Sequence, residues 1–134
     1  MSVELTQHTM EAYADDLIGR GPYERHFAED VVATIVGTDL EAQGQHATER
    51  LIDYLHRDAF DARLELKNVV VTDGRAAAEF DFVGKHSSEF AGVAATGREV
   101  RVPYCVVYDL EGEKIKALRI YFPIDALMQQ LGVA

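Results

Sequence analysis

The sequence predicts an α+β domain in which one curved antiparallel sheet carries helices on one face. Three observations support this. Helical spacing dominates the first part of the chain, interrupted by one short β-branched run. From residue 63 the period changes to two and stays there through four strand-like segments. The turns between those segments carry hairpin chemistry. Helices first and consecutive antiparallel strands afterwards is the order of an α+β fold, not of a parallel α/β one.

Met10, Tyr13, Ala14, Leu17 and Ile18 recur at helical spacing, with Glu11, Asp15 and Asp16 mostly on other faces. Gly19, Gly21 and Pro22 end this first helix. Pro22 suits the first turn of a second, short helix over Tyr23 to Ala28. Val31 to Val36 is β-branched and short, and reads as a strand. Gly44 precedes a third helix, roughly His46 to Phe60, whose apolar stripe is Leu51, Ile52, Leu55 and Ala59.

Residues 63–72, 76–86, 99–110 and 114–122 read as strands, with Asp73-Gly74 a strong hairpin signal and Glu111-Gly112 a weaker one. In the third of them Val100, Val102, Tyr104, Val106, Tyr108 and Leu110 share one face, opposite Arg101 and Asp109. A closing helix has Pro123 in its first turn and Asp125 near its positive end. Ile124, Leu127, Met128 and Leu131 form its stripe, and Gly132 is a natural stop.

With no repeat, linker or low-complexity stretch, residues 1–134 form a single domain. The net charge of −10 opposes binding to phosphate backbones and anionic membranes, so neither nucleic acid nor membrane is an expected partner. No signal peptide or membrane-spanning run is readable, and the lone Cys105 forms no intrachain disulfide, so the expected location is cytoplasmic. His8, His26, His46 and His56 show no zinc-ligand spacing, so no metal is expected. Nucleophile-elbow and glycine-rich nucleotide motifs are absent, so no organic cofactor is expected either.

Gly84-Lys85-His86, followed by Phe90, Gly92 and Ala95-Thr96-Gly97-Arg98, resembles the G-x-H…F-x-G…A-T-G-R signature of SnoaL-like proteins, in the nuclear transport factor two-like superfamily. The likeness continues through Val102-Pro103, Tyr108, Lys114-Ile115, Arg119-x-Tyr121-Phe122 and Gln130-Leu131-Gly132. Glu29-Asp30 and Gly44 also fall at family positions. The resemblance implies a cone-shaped α+β barrel (a cystatin-like, SnoaL-like fold), with N-terminal helices wrapping the sheet around a pocket and with frequent dimerisation through the outer sheet face. It also implies a site that this chain lacks. Polyketide cyclases of the family use an aspartate after the last-strand arginine as general acid/base, and here that position is Ile120. A histidine on the preceding strand corresponds to Val106. A polar position around Ala33 to Ile35 is apolar, and an aspartate that often follows the Tyr-Phe pair is Pro123. General acid–base groups supply about 3–5 kcal/mol of barrier lowering, which isoleucine cannot provide.

Candidate chemistry must therefore come from elsewhere. Glu79 and Asp81 lie two apart on one strand, so they share a face; lining a pocket, they would set an acid beside a base. The competing arrangement points Phe80 and Phe82 to the core and both carboxylates to water, which avoids burying unpaired charge. Tyr104 and Tyr108, with Tyr13 on the first helix, offer hydroxyls that could polarise a carbonyl or simply pack. His86 is a signature residue with a structural role, and Cys105 a packing residue. Arg98 and Arg119 could grip an anion, although Arg119, beside Tyr121, fits an outer-face brace.

The expected function is binding of an apolar, carbonyl-containing small molecule, with cofactor-free cyclisation, isomerisation or hydrolysis if the protein is an enzyme. Glu79 or Asp81 would act as acid/base and Tyr104 as hydrogen-bond donor. Tyr13, Ala33, Ile35, Val102, Val106, Leu118 and Ile120 would line the pocket. The competing function is a non-catalytic ligand-binding or interaction module, favoured by the hydrocarbon at Ile120 and Val106. An adaptor like the superfamily's namesake has only the fold in its favour. A homodimer is expected, with Phe80, Phe82 or Val107 buried between sheets.

Overall fold

The computed structural model describes residues 2–133. Helix α1 (Val3–Ile18) starts at Ser2, whose hydroxyl accepts from the Leu5 amide at 3.0 Å, the usual way of satisfying one orphan donor of a first turn. Met10, Tyr13 and Ala14 of the expected stripe are buried, joined by Thr6 and Thr9, whereas Ile18 at the end of the helix is exposed. The short second helix is only a 3₁₀ turn, Tyr23–His26, because Phe27 already belongs to strand β1 (Phe27–Ile35). A three-residue strand, β2 (Glu41–Gln43), pairs with β1 and carries too little pattern to be read from sequence. Helix α2 (Gln45–Asp53) runs into a π-turn, Tyr54–Asp58, closed by the Ala59 amide donating to the Tyr54 carbonyl at 2.8 Å. The expected helix to Phe60 stops short there, since Phe60 opens β3.

Strands β3 (Phe60–Thr72), β4 (Arg75–His86), β5 (Glu99–Glu111) and β6 (Lys114–Tyr121) follow as consecutive antiparallel hairpins. Helix α3 (Ile124–Gln130) closes the chain. The six-stranded sheet is curved and unclosed, in the order β2-β1-β6-β5-β4-β3. Its β1–β6 pair is parallel, which corrects the expectation of a wholly antiparallel sheet. Parallel neighbours need a long crossover, and everything from β2 to β5 supplies it here. No helix of the described residues is long and apolar enough to cross a membrane.

Alternation decides what faces inward. Along β5, Val100, Val102, Tyr104, Val106, Tyr108 and Leu110 are buried, and along β4 the same holds for Ala76, Ala78, Phe80, Phe82 and His86. On β3 only Phe60, Ala62 and Leu64 are buried; after a register shift between Leu66 and Asn68 the strand leaves the core. The signature residues at the end of β4 serve packing. His86 is fully buried, its ring stacks on Phe60, and its Nδ1 accepts from the Thr96 amide at 3.1 Å. Gly84 sits so close to β3 that an added Cβ would lie 2.8 Å from the Ala62 Cβ.

Candidate functional site

The two layers of the fold leave a small void between them. Tyr13 and Leu17 of α1 and Ile52, Leu55 and His56 of the α2 segment approach it from the helical side. Tyr104, Val106 and Tyr108 of β5, Leu118 and Ile120 of β6, and Phe122 close it from the sheet. The space open to the centre of a water-sized sphere is about 20 Å³. That is room for a water, whereas pockets for small-molecule ligands run to roughly 300–1,000 Å³. A metabolite enters this interior only if side chains move.

Tyr13, His56, Tyr104 and Tyr108 bring polar atoms to this lining, and His56 meets Tyr104. His56 Nδ1 lies 2.8 Å from the Ile52 carbonyl oxygen, and a carbonyl can only accept, so Nδ1 carries the proton. Nε2 therefore presents a lone pair, and the Tyr104 hydroxyl donates into it at 3.3 Å. Withdrawal from water lowers the His56 pKa from 6.5 to about 4, so the imidazole is neutral at physiological pH even though part of the residue remains accessible. Burial pushes the Tyr104 phenol well above its ordinary range, so it stays a donor. The ring of Tyr104 stacks on Phe80 at 5.3 Å and meets Phe122 at 5.2 Å, which fixes its position. Tyr13 and Tyr108 meet edge-on at 5.6 Å beside the same void, and burial raises both phenols.

Of the residues expected to form a pocket, Tyr13, Tyr104, Val106, Leu118 and Ile120 lie on this void. Ala33, Ile35 and Val102 are buried on the inner sheet face but do not border it. Glu79 and Asp81 share a face, as their spacing requires, and that face is the outer one, which corrects their expected role as interior acids. Phe80 and Phe82, 2% and 0% exposed, take the inner positions, so they are not available as contacts between sheets. Water and cations on the outer face solvate the carboxylates at far lower cost than burial would. Asp81 accepts from Arg101 Nη1 at 2.9 Å and lies 3.3 Å from Lys67 Nζ, while Glu79 accepts from the Asn68 side-chain Nδ2 at 3.1 Å.

Glu79 and Asp81 do line a shallow outer groove of about 570 Å³ with Cys105, Tyr121 and the outward edges of Tyr104 and Phe122. Arg119 donates to both oxygens of Asp109, at 2.8 and 3.2 Å, as an outer-face brace. Arg98 lies against Gly132 and donates to the Gln130 carbonyl at 3.5 Å.

His56 is the residue of this candidate site that sequence reasoning passes over. The signal was its position four residues after Ile52, on the flank of the apolar stripe. Nothing in the sequence indicates that a tyrosine on a distant strand stands opposite it.

Residues 11–131 match the family model of SnoaL-like polyketide cyclases. Among curated proteins, no sequence matches the chain. Solved structures agree in fold. A Jannaschia protein named for SnoaL-like polyketide cyclases superposes with a TM-score of 0.86 at 16% identity, covering 98% of this chain and 94% of its own. An LEH-like epoxide hydrolase of M. tuberculosis gives 0.71 at 15% identity over 97% of this chain and 90% of its own. A Kribbella flavida protein named for ketosteroid isomerases gives 0.71 at 17% identity over 90% of this chain and 79% of its own. At these identities the similarity establishes architecture and leaves chemistry to the side chains present.

Proposed function

Because the chain belongs to the SnoaL-like polyketide cyclase family, we propose that it binds an apolar, carbonyl-containing small molecule in its interior and moves a proton on it without a cofactor. The observation that carries this reading is the His56–Tyr104 pair on a void whose other lining is hydrocarbon apart from the Tyr13 and Tyr108 hydroxyls. A neutral imidazole whose Nε2 lone pair is only loosely engaged is a base, and a protonated phenol beside it is a donor for a developing oxyanion. Together they supply the two roles left vacant by Ile120 and Val106. At 3.3 Å the bond between them is long for a hydroxyl donor, so a ligand oxygen can take over the hydroxyl at little cost. Opening of the void on binding is part of the proposal, with Leu17 and Phe122 as the apolar side chains that give way.

Exchange of the α-hydrogens of β-tetralone in deuterated water, followed by NMR, tests the chemistry. The wild-type protein is expected to accelerate exchange, and His56→Leu to reduce the acceleration by about a hundredfold, the scale of a lost general base. Equal rates for the two proteins would remove His56 from the mechanism. The small volume of the void favours a second reading, a binding module without catalysis, which predicts saturable binding of the ketone with no exchange above background. The proposal also includes a homodimer formed through the outer sheet face and a cytoplasmic location, the latter supported by the lone, unpaired Cys105.

A further inference from the structure

His56 borders a second void besides the interior one. That space, also about 20 Å³, lies between the carboxyl end of α1 and the π-turn, and shares Leu17, Ile52 and His56 with the interior void. His56 and its two apolar neighbours are thus the partition between two spaces, and displacement of Leu17 would join them. The lining of the second space is different in kind. It includes Arg20, Arg57 and Arg63, with Asp53 as its acid, in a chain of 23 acidic and 13 basic residues. It also shares Arg20, Ala62 and Arg63 with a surface groove of about 720 Å³, which gives it a way out to solvent.

The three arginines are not equally engaged. Arg20 donates to Asp61 at 3.0 Å and to the Ala62 carbonyl at 2.6 Å. Arg63 donates to Glu65 at 3.3 Å. Arg57 only approaches Asp53, at 3.7 Å, and the same Asp53 oxygen already accepts from the Tyr23 hydroxyl at 2.6 Å. The Arg57 guanidinium lies 5.9 Å from the centre of the Tyr23 ring, which holds it at the second void without using up its hydrogen-bond donors. One loosely held guanidinium suits one negative charge, and its fork matches a carboxylate.

We infer that the ligand is an amphipathic monoanion whose carboxylate is held by Arg57 while its apolar body passes His56 and Leu17 to reach Tyr104. This rests on the interior being the ligand site and adds the head group, the residue that selects it and the direction of entry. Arg57 is a specificity residue here, with the reacting part of the ligand on the far side of His56.

Phenylbutyrate and phenylbutanol share a body and differ in the carboxylate. Their binding to the full chain at neutral pH can be followed by the His56 ring resonances. Phenylbutyrate is expected to bind about tenfold more tightly to the wild type, the advantage to fall to about threefold or less in Arg57→Gln and to return in part in Arg57→Lys, which keeps the charge and loses the fork. Phenylbutanol is expected to bind all three alike, which also shows that the variants are folded. If the alcohol shifts His56 but the carboxylate gains nothing, or keeps its advantage in Arg57→Gln, the role of Arg57 is overturned and the interior site stands. If neither compound shifts the His56 signals, the interior site and this inference fall together.

Discussion

The imidazole of His56 and the hydroxyl of Tyr104 meet at 3.3 Å across 48 residues of sequence, one delivered by a π-turn and the other by the centre of the sheet. Neither partner is isolated. His56 is anchored behind by the Ile52 carbonyl, and Tyr104 is wedged between Phe80 and Phe122. Since the groups are held from outside the pair, their mutual bond can be exchanged for a ligand without loss of position, the condition for preorganised chemistry.

The first consequence concerns acid. Desolvation lowers the His56 pKa to about 4 from 6.5, so between those values the unfolded chain takes up a proton that the native chain refuses. The contribution of a neutral His56 to stability is therefore complete above pH 6.5 and shrinks as the pH falls toward 4. The full shift corresponds to about 3 kcal/mol, and water at the accessible part of the residue reduces this toward about 1 kcal/mol. Urea unfolding of wild type and His56→Gln at neutral pH and at about pH 5 should show the wild type losing more stability on acidification. Parallel pH profiles would show that the imidazole titrates normally.

A second prediction addresses the pair itself. Tyr104→Phe leaves Nε2 without a donor and should cost about 1–2 kcal/mol in unfolding free energy. Combined with His56→Leu, the loss should fall short of the sum by about 0.5–1 kcal/mol, a modest coupling in keeping with the length of the bond. Strict additivity of the two substitutions would mean that the contact is not energetic.

Much of this architecture is legible in the sequence because period and turn chemistry are local. The alternation from Val100 to Leu110 and the Asp73-Gly74 turn specify β5 and the β3–β4 hairpin directly. What escapes is decided over distance. Phe27 reads as helical until Ile115, far along the chain, offers it a place in the sheet. Glu79 and Asp81 are a plausible catalytic pair by spacing, and only the side of β4 that meets the helices settles their direction. Alternation with Phe80 and Phe82 already favoured the outward choice on desolvation grounds. His56 shows the converse, since its helix position was available but its partner was not.

The outward carboxylates give a third prediction. Glu79→Gln and Asp81→Asn remove exposed or partly exposed charges whose partners are Asn68 and, for Asp81, Arg101 and Lys67. Each should change stability by no more than about 1 kcal/mol and leave β-tetralone exchange within about twofold of wild type. A tenfold or greater loss in either variant would return the chemistry to the outer groove.

Gly84 offers a fourth test, independent of function. Its Cα faces Ala62 across the β3–β4 ladder, and a methyl group there would stand 2.8 Å from the Ala62 Cβ and 2.9 Å from its Cα. Backbone cannot retreat as a flexible side chain can, so Gly84→Ala should destabilise by about 1–3 kcal/mol despite the small size of the change. Ala62→Gly should relieve part of that cost in the double variant. A melting temperature for Gly84→Ala equal to that of wild type would mean that the two strands leave room for a methyl group at this position.

The outer face supports the last prediction. Tyr121 is 47% exposed, Val36 is 38% exposed, and both border the shallow groove with Pro103 and Pro123. Flanking this apolar strip, Arg119 with Asp109 and Arg101 with Asp81 set fixed charges of both signs on one surface. A two-fold axis through such a surface lets each cation face an acid of the second copy while the apolar strips meet at the centre. Tyr121→Glu places a carboxylate in that centre without touching the interior. Sedimentation at micromolar concentration should show a dimer for wild type and a monomer for the variant, with β-tetralone exchange retained if the site is complete within one chain. A wild-type monomer under those conditions would leave the outer face without this role.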